Sequence, residues 1–349
     1  MKSQVYLESN RVQKIIVSAL RKADVCEESS YHVAASLVQS SSRGIDSHGI
    51  GLFPHYYKAV EAGRINKKPA MKVRKIAQSI ATVDADHGFG HHAGAVGMDK
   101  AIEIAHDNGV GAVSVRNSTH FGAAAYFGLR AAESDCLGFA FTNADGLVKV
   151  FNSKERFLGT NPICFTAPLK KEGPFCLDMA TSLVSWNRIK LYRQMNKKIP
   201  PDWAFDKNGR RVTDPHKAFS LSPIGEYKGF GLGVMVDILC ALLARGPISK
   251  DILPMFDTPL SRRRHISHFF MAINIKSFSD VAAFKNDFQK MIDRIRRLTP
   301  MSKSAKVMVA GDPEKLAFLQ RSKTGIPVSR KKFLELLSVS SDFQGAKIL

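Results

Sequence analysis

A chain of 349 residues, 44% of them hydrophobic, is long enough to bury a large core and to divide into two lobes. No apolar run approaches the ~20 residues of a membrane span, and MKSQVYLESN at the start lacks the apolar stretch of a secretory signal, so a non-membrane protein of the cytoplasm is expected. A net charge of +20 would suit nucleic acid, an anionic surface or anionic small molecules; the densest runs, Arg262-Arg263-Arg264, Arg294 to Arg297 and Arg330-Lys331-Lys332, carry no aromatic interleaving, so solvated basic faces are expected and no nucleic-acid site.

Residues 11–23 set Val12, Ile15, Ile16, Ala19 and Leu20 on one stripe and predict an amphipathic helix with Asn10 as its N-cap. Two more helices carry the chain to Gly63, a C-terminal stop. This helical start delivers SSRGIDSHGIGLFPHYY (41–57), where Gly44 and Gly49 bracket Ser47-His48. An imidazole on a glycine-bounded break between helices can face a cleft and move a proton near neutral pH. Alone, such a histidine is more often a cap or a packing residue. A second glycine-bounded histidine, His120 in NSTHFGAAA, and Lys228 in EYKGFGLG shift the balance towards a site.

From Ile80 short apolar strands alternate with helices. IATVD (80–84), VGAVSV (110–115) and CLGFAFTN (136–143) are predicted strands; residues 92–108, ended by Gly109, and Ala123 to Glu133 are predicted helices. Such alternation indicates an α/β sheet. ICFTAP (163–168) and FCLD (175–178) follow with no helix between them, so the sheet is mixed. A helix from about Leu183 and a Pro-, Asp-, Asn- and Gly-rich surface loop over 197–217 come next. Residues 229–245 are apolar almost all round and predict a buried helix. HFFMAINI (268–275) is a strand, 281–297 an amphipathic helix, KVMVAG (306–311) a strand running into a turn, and short basic helices close the chain.

Five cysteines, Cys26, Cys136, Cys164, Cys176 and Cys240, form an odd set without a CxxC pair. Three of them stand in apolar strand-like runs, where cysteine acts as a small hydrophobe, and a reducing compartment is expected. No cluster has metal spacing; the adjacent His91 and His92 would point apart on a helix.

Several stretches stand where α/β sheets bind ligands. Gly88-Phe89-Gly90-His91-His92-Ala93 is a GxGxxA opening a helix, the spacing of a dinucleotide fingerprint. The acidic residue expected after the next strand is replaced by Arg116, which would suit a 2′-phosphate. His120 lies at a strand-to-helix turn, where Gly122 allows close approach and the helix N-terminus favours an anion. Asp178-Met179-Ala180-Thr181-Ser182 ends a strand and opens a helix, with plain N-capping by Thr181 or Ser182 as the alternative. These residues alone give an α/β enzyme with histidine acid–base chemistry and an anionic ligand, without naming a reaction.

RGIDSHGIG (43–51), VRNSTHFGAAAYF (115–127), LGTNPI (158–163), LDMATS (177–182), WAFDKNGRRVTDP (203–215) and YKGFGL (227–232), with the GDPE turn at 311–314 and GIPV at 325–328, resemble the malate/L-lactate dehydrogenase family, which includes ureidoglycolate dehydrogenase and diketogulonate reductase. The resemblance implies a non-Rossmann NAD(P)-binding α/β fold with a mixed sheet, and so sets the GxGxxA match aside. It implies a helical lobe (1–75 joined by 280–349), a cofactor-binding lobe (76–279) and a homodimer. It implies hydride transfer between nicotinamide and C2 of a small 2-hydroxy or 2-oxo acid carrying a carboxylate, with NAD or NADP as cofactor.

On the matching positions it implies His48 as proton donor with Ser47 assisting, and His120 as pocket residue or alternative acid. It implies cofactor contacts at His120, Phe121, Gly122, Ala123, Ala124, Asp178, Met179, Ala180, Lys228, Gly229, Gly311 and Asp312, and substrate contacts at Thr160, Arg188 and Tyr56. A cyclic imino-acid reductase or a catalytically degenerate dinucleotide binder are the alternatives. Three positions depart from the family's pattern: Leu52 where an arginine commonly clamps the substrate carboxylate, Asn152-Ser153 for a Gly-Gly, and Asn187 for a glycine.

Overall fold

The computed structural model describes residues 4–348. Helix α1 (Ser9–Lys22) buries Val12, Ile16, Ala19 and Leu20, the predicted stripe. Its cap is Glu8 rather than Asn10: the Glu8 carboxylate accepts the N–H groups of Asn10 and Arg11 at 2.8 and 2.9 Å. A carboxylate there also complements the positive end of the helix dipole. Helix α2 (Glu27–Ser42) packs on α1. The chain then breaks at Gly44, φ +84°, and makes single 3-10 turns at Asp46–His48 and Ile50–Leu52 before α3 (Phe53–Glu61), which Gly63 terminates as predicted. Val12, Leu37, Phe53 and Val60 share one core with Phe333, Leu336 and Phe343 from the far end of the chain.

The central sheet has seven strands: β1 (Lys72–Ala77), β2 (Ile80–Asp84), β3 (Val110–Ser118), β4 (Cys136–Thr142), β5 (Ile163–Ala167), β6 (Phe175–Met179) and β7 (Ile266–Asn274), in the order β1-β2-β3-β7-β4-β5-β6. Only β2 and β3 run parallel, joined by α4 (Gly90–Asn108); the remaining pairs are antiparallel. The late strand β7 inserts between β3 and β4 and so closes the middle of the sheet. Helices α4 and α5 (Ala125–Glu133) cover one face through Ala93, Met98, Ala101, Phe127 and Leu129. Cys136, Cys164, Cys176 and Cys240 are buried and all five cysteines are free.

The GxGxxA segment does open α4, but its glycine answers to packing. A Cβ on Gly90 would stand 2.2 Å from the carbonyl oxygen of Thr119, and Arg116 donates to Asp84 at 3.1 Å instead of waiting for a phosphate.

Helix α6 (Trp186–Gln194) begins later than Leu183, with Ser185 as its cap. Helix α7 (Tyr227–Asp237) continues into a π turn at Ile238–Leu242 and seats Val236 and Cys240 against Phe141 and Phe269 of the sheet. The expectation that 229–245 is buried all round is overturned. Leu232, Met235, Ile238, Leu242 and Leu243 are 37–57% exposed, because the helix touches the sheet on one side and none of the other described residues covers the opposite side.

Helix α8 (Val281–Arg296) packs on β6, with the Phe288 and Phe175 rings 5.8 Å apart. Residues 306–309 form no strand; the turn is present, at Gly311 with φ +93°, and leads into α9 (Asp312–Thr324). Ile326–Ser329, read as part of the basic helical end, instead pairs antiparallel with Gln4–Leu7 before α10 (Arg330–Leu337).

Candidate active site

His48 and His120 come from distant parts of the chain and meet ring over ring, 5.6 Å between centroids at 16°. The 3-10 turn 46–48 carries the first; the strand-to-helix turn after β3 carries the second. Both residues are half-buried. Ser47 Oγ lies 2.9 Å from His48 Nδ1. The turn is held by Arg321 of α9, which donates to both carboxylate oxygens of Asp46 at 2.5 and 2.9 Å and to the carbonyl of Ser41 at 2.6 Å.

His120 is fixed more tightly. Its Nδ1 is 2.5 Å from the Tyr56 hydroxyl and 3.4 Å from the backbone N–H of Gly122. A backbone N–H only donates, so Nδ1 is the acceptor, Tyr56 also donates to it, and the ring proton sits on Nε2, turned away from both. Tyr56 is 2% exposed. Its hydroxyl bonds to His120. Burial pushes the Tyr56 phenol above its ordinary range, holds His120 well below the ordinary histidine value and lowers His48 to about 4.

The turn after His120 packs closely against the helices behind it. Gly122 has φ +78°, and a Cβ there would stand 2.9 Å from His91 Nε2 and 3.2 Å from Ser36 Oγ. Asp178 Oδ2 accepts the N–H of Ala125 at 2.8 Å, so β6 supplies the cap for α5, a role invisible in the local sequence. Burial raises the Asp178 carboxyl to about 6. Near it, Arg43 Nε and Nη2 and Ser36 Oγ are buried without a hydrogen-bond partner. Ala123 and Ala124 lead into α5, while the Phe121 side chain stacks on His268 at 4.7 Å inside the sheet core, leaving only its backbone for a ligand. Met179 and Ala180 are half-buried, and Thr160 accepts the Thr181 N–H at 2.9 Å.

Lys228 is exposed at the start of α7, and Gly229 is required there because a Cβ would overlap the Ile224 carbonyl at 1.7 Å. Gly311 backs onto Cys176, and Asp312 is tied to Arg296 at 2.5 and 3.0 Å. Arg188 is exposed, its guanidinium 5.6 Å from the Tyr192 ring centroid.

Sequence reasoning missed Arg264 and Lys190, and saw in Asn187 only a departure from the family's pattern. Arg264, placed within a solvated basic run, is 4% exposed and ion-paired with Asp145, and its charge acts on His120. Asn187 Nδ2 donates to the Ser47 carbonyl at 3.4 Å. Lys190 Nζ sits 4.0 Å over the Phe256 ring. No local signal separates a buried arginine in an Arg-Arg-Arg run from its exposed neighbours. Of the departures, Leu52 packs against the helical core, and Asn152 takes φ +59°, a left-handed conformation that asparagine tolerates better than most residues.

This fold and site define an α/β protein in which two stacked histidines stand near a helix N-terminus capped by a carboxylate. The malate/L-lactate dehydrogenase family model matches residues 7–337. The malate dehydrogenase of Pyrococcus abyssi is 36% identical over 346 residues, covering 96% of this chain and 94% of that protein. The ureidoglycolate dehydrogenase (NAD(+)) of Escherichia coli O157:H7 is 30% identical over 327 residues, with 94% and 93% covered. The crystal structure of malate dehydrogenase from Entamoeba histolytica matches with a TM-score of 0.92 at 29% identity, covering 98% of this chain and 99% of that one. The chain belongs to the malate/L-lactate dehydrogenase family and is an NAD(P)-dependent dehydrogenase.

Proposed function

We propose that the chain interconverts a small 2-hydroxy acid of the malate, lactate or ureidoglycolate type and its 2-oxo acid, with His48 moving the proton and His120 holding the reacting oxygen. The observation that carries this reading is the stacked His48–His120 pair, whose rings have opposite freedom. His48 Nδ1 faces a hydroxyl that can accept, so Nδ1–H can donate to Ser47 while Nε2 takes the proton of the substrate hydroxyl. His120 presents Nε2–H to the same oxygen. A bound nicotinamide cofactor would supply the hydride acceptor for C2, and the hydride donor in the reverse reaction. For reduction His48 must be charged, and an anionic substrate beside it raises its lowered pKa.

The backbone turn 120–124, Asp178-Met179-Ala180, Lys228-Gly229 and Gly311-Asp312 would hold the dinucleotide. Unpartnered Arg43 nitrogens beside the α5 N-terminus fit a negatively charged group there. We place the cofactor between the helical lobe, residues 1–75 with the C-terminal segment, and the sheet lobe. Among the described residues no group of three or more His, Cys, Asp or Glu side chains is arranged to hold a metal ion, and no helix is long and apolar enough to cross a membrane. The free cysteines, four of them buried, support a reducing, cytoplasmic setting.

The exposed stripe Leu232, Met235, Ile238, Leu242 and Leu243 supports a homodimer closed through α7. Light scattering on the wild type and on Leu242→Asp checks this: a dimer that becomes a monomer is the expected result. Oxidation of NADH or NADPH with a panel of 2-oxo acids and cyclic imines tests the activity. Turnover with oxaloacetate or pyruvate supports the proposal; turnover confined to cyclic imines, or cofactor binding without any turnover, overturns it.

A further inference from the structure

The two faces of the sheet are covered unequally. Strands β2 and β3 turn Ala81, Val83, Val113 and Val115 towards α4 and the core, so Thr82, Asp84, Ser114 and Arg116 face the other side. Helix α7 and its π turn cover that side over β4 and β7, through Phe141 and Phe269. Beside them a groove of about 340 Å³ stays open, floored by β1, β2 and β3 and walled by Leu243, Ala244 and Arg245. Strand register arranges its floor in two rows, Lys72–Asp84–Arg116 and Arg74–Thr82–Ser114. Arg116 and Asp84 neutralise each other across 3.1 Å. Lys72, Arg74 and Arg245 also line the groove, and among the described residues none of the three makes a side-chain hydrogen bond or an ion pair. The groove therefore holds three uncompensated positive charges.

Two further features point to a ligand. Ser114 is 8% exposed and its hydroxyl is buried without a hydrogen-bond partner, which is unfavourable until something supplies an acceptor. Arg245 follows the helix with φ +54°, a left-handed conformation that ordinarily selects glycine or asparagine. The helix end does not repel an anion with bare carbonyls of Leu242 and Ala241: the N–H groups of Arg245 and Gly246 occupy them at 3.2 and 2.9 Å. Three cations and a donor hydroxyl suit a ligand with at least two negative charges and several acceptor oxygens. A phosphate group brings both, with a charge of about −1.5 to −2 at pH 7, and guanidinium groups hold it bidentately.

We propose that this groove is a second binding site, separate from the dinucleotide site, for a phosphorylated small molecule. Its volume lies within the range of small-molecule pockets, roughly 300–1,000 Å³. Lys228 and Arg245 stand at opposite ends of α7 and its continuation, roughly 25 Å apart. Leu243 is shared with the apolar stripe on α7, so the groove opens at the edge of the dimer contact proposed above.

The probe is inorganic diphosphate, titrated calorimetrically into the wild-type protein at low salt with saturating NADH present to fill the dinucleotide site. One binding event per chain is expected. Arg74→Gln and Arg245→Gln should each weaken it roughly three- to tenfold, less than a buried charged contact because the groove is open, with the affinity for NADH unchanged. Ser114→Ala should also weaken it without lowering the melting temperature of the free protein, since the lost hydroxyl had no partner. Lys75→Gln is the control: Lys75 is next to Arg74 but on the opposite face of β1 and should not matter. Absence of binding in the wild type means that the groove is closed, by a second copy of the chain or otherwise, and overturns the proposal. Binding that NADH abolishes places the anion in the dinucleotide site and overturns it too. So does an affinity unchanged by Arg74→Gln and Arg245→Gln, or equally weakened by Lys75→Gln, the mark of diffuse attraction to a basic surface.

Discussion

The turn that carries His48 and the turn that carries His120 look alike in sequence, each a histidine bounded by glycine, and differ in what the fold does to them. His48 sits on an isolated 3-10 turn anchored by a single arginine, with a hydroxyl partner that can donate or accept. His120 sits between a strand and a helix, with a backbone N–H and a buried phenol both aimed at Nδ1. The first ring can change its proton content without breaking a bond; a proton on Nδ1 of the second gives up the Gly122 N–H and forces the Tyr56 hydroxyl to reverse from donor to acceptor. On the function proposed above, the difference separates a proton carrier from a fixed donor, which residue type alone cannot do.

The largest effect that sharpens this contrast is loss of the carrier. His48→Ala should lower turnover by roughly two to four orders of magnitude, with cofactor affinity little changed in a fluorescence titration. If His120→Ala abolishes turnover while His48→Ala only raises KM, the two roles are exchanged.

Acid stability extends the comparison to the histidines behind the site. Burial lowers His91 and His268 to about 3, against an unfolded value near 6.5. Below 6.5 the unfolded chain binds protons that the folded chain refuses, so stability is lost as pH falls from about 6.5 towards 3, on the order of 1.4 kcal/mol per group per unit. Asp178, raised to about 6, opposes this with one group over part of the range. Urea midpoints at pH 7, 5.5 and 4.5 should fall in that order; a flat profile would mean that the rings are hydrated.

Tyr56→Phe frees Nδ1 of His120. Turnover should fall about two- to tenfold, the worth of one neutral hydrogen bond, and nitrogen NMR should show the Nε2–H tautomer giving way to a mixture. An unchanged tautomer would mean that Gly122 alone sets it. The smallest expected effect belongs to Asn187→Gly, which removes a long bond to Ser47: KM should rise about twofold with kcat nearly constant. A large fall in kcat would show that α6 positions the His48 turn.

The sequence by itself determined the local elements and the order of the motifs. Ile80–Asp84 is the predicted strand residue for residue, and Gly63 and Gly109, both with positive φ, end helices where expected. Such features depend on neighbours a few residues away, which periodicity and glycine placement encode directly. The paired histidines were legible because each motif is local, and the resemblance joined them. Tertiary structure decided the rest. It placed β7 between β3 and β4, buried Arg264 out of a basic run, brought Asp178 across to cap α5, and left the apolar α7 open on one side. Each of these depends on what a distant segment places against a residue. A leucine on α7 has the same hydropathy whether the sheet, a second chain or water lies opposite, and a histidine has no preferred tautomer until something donates to one of its nitrogens.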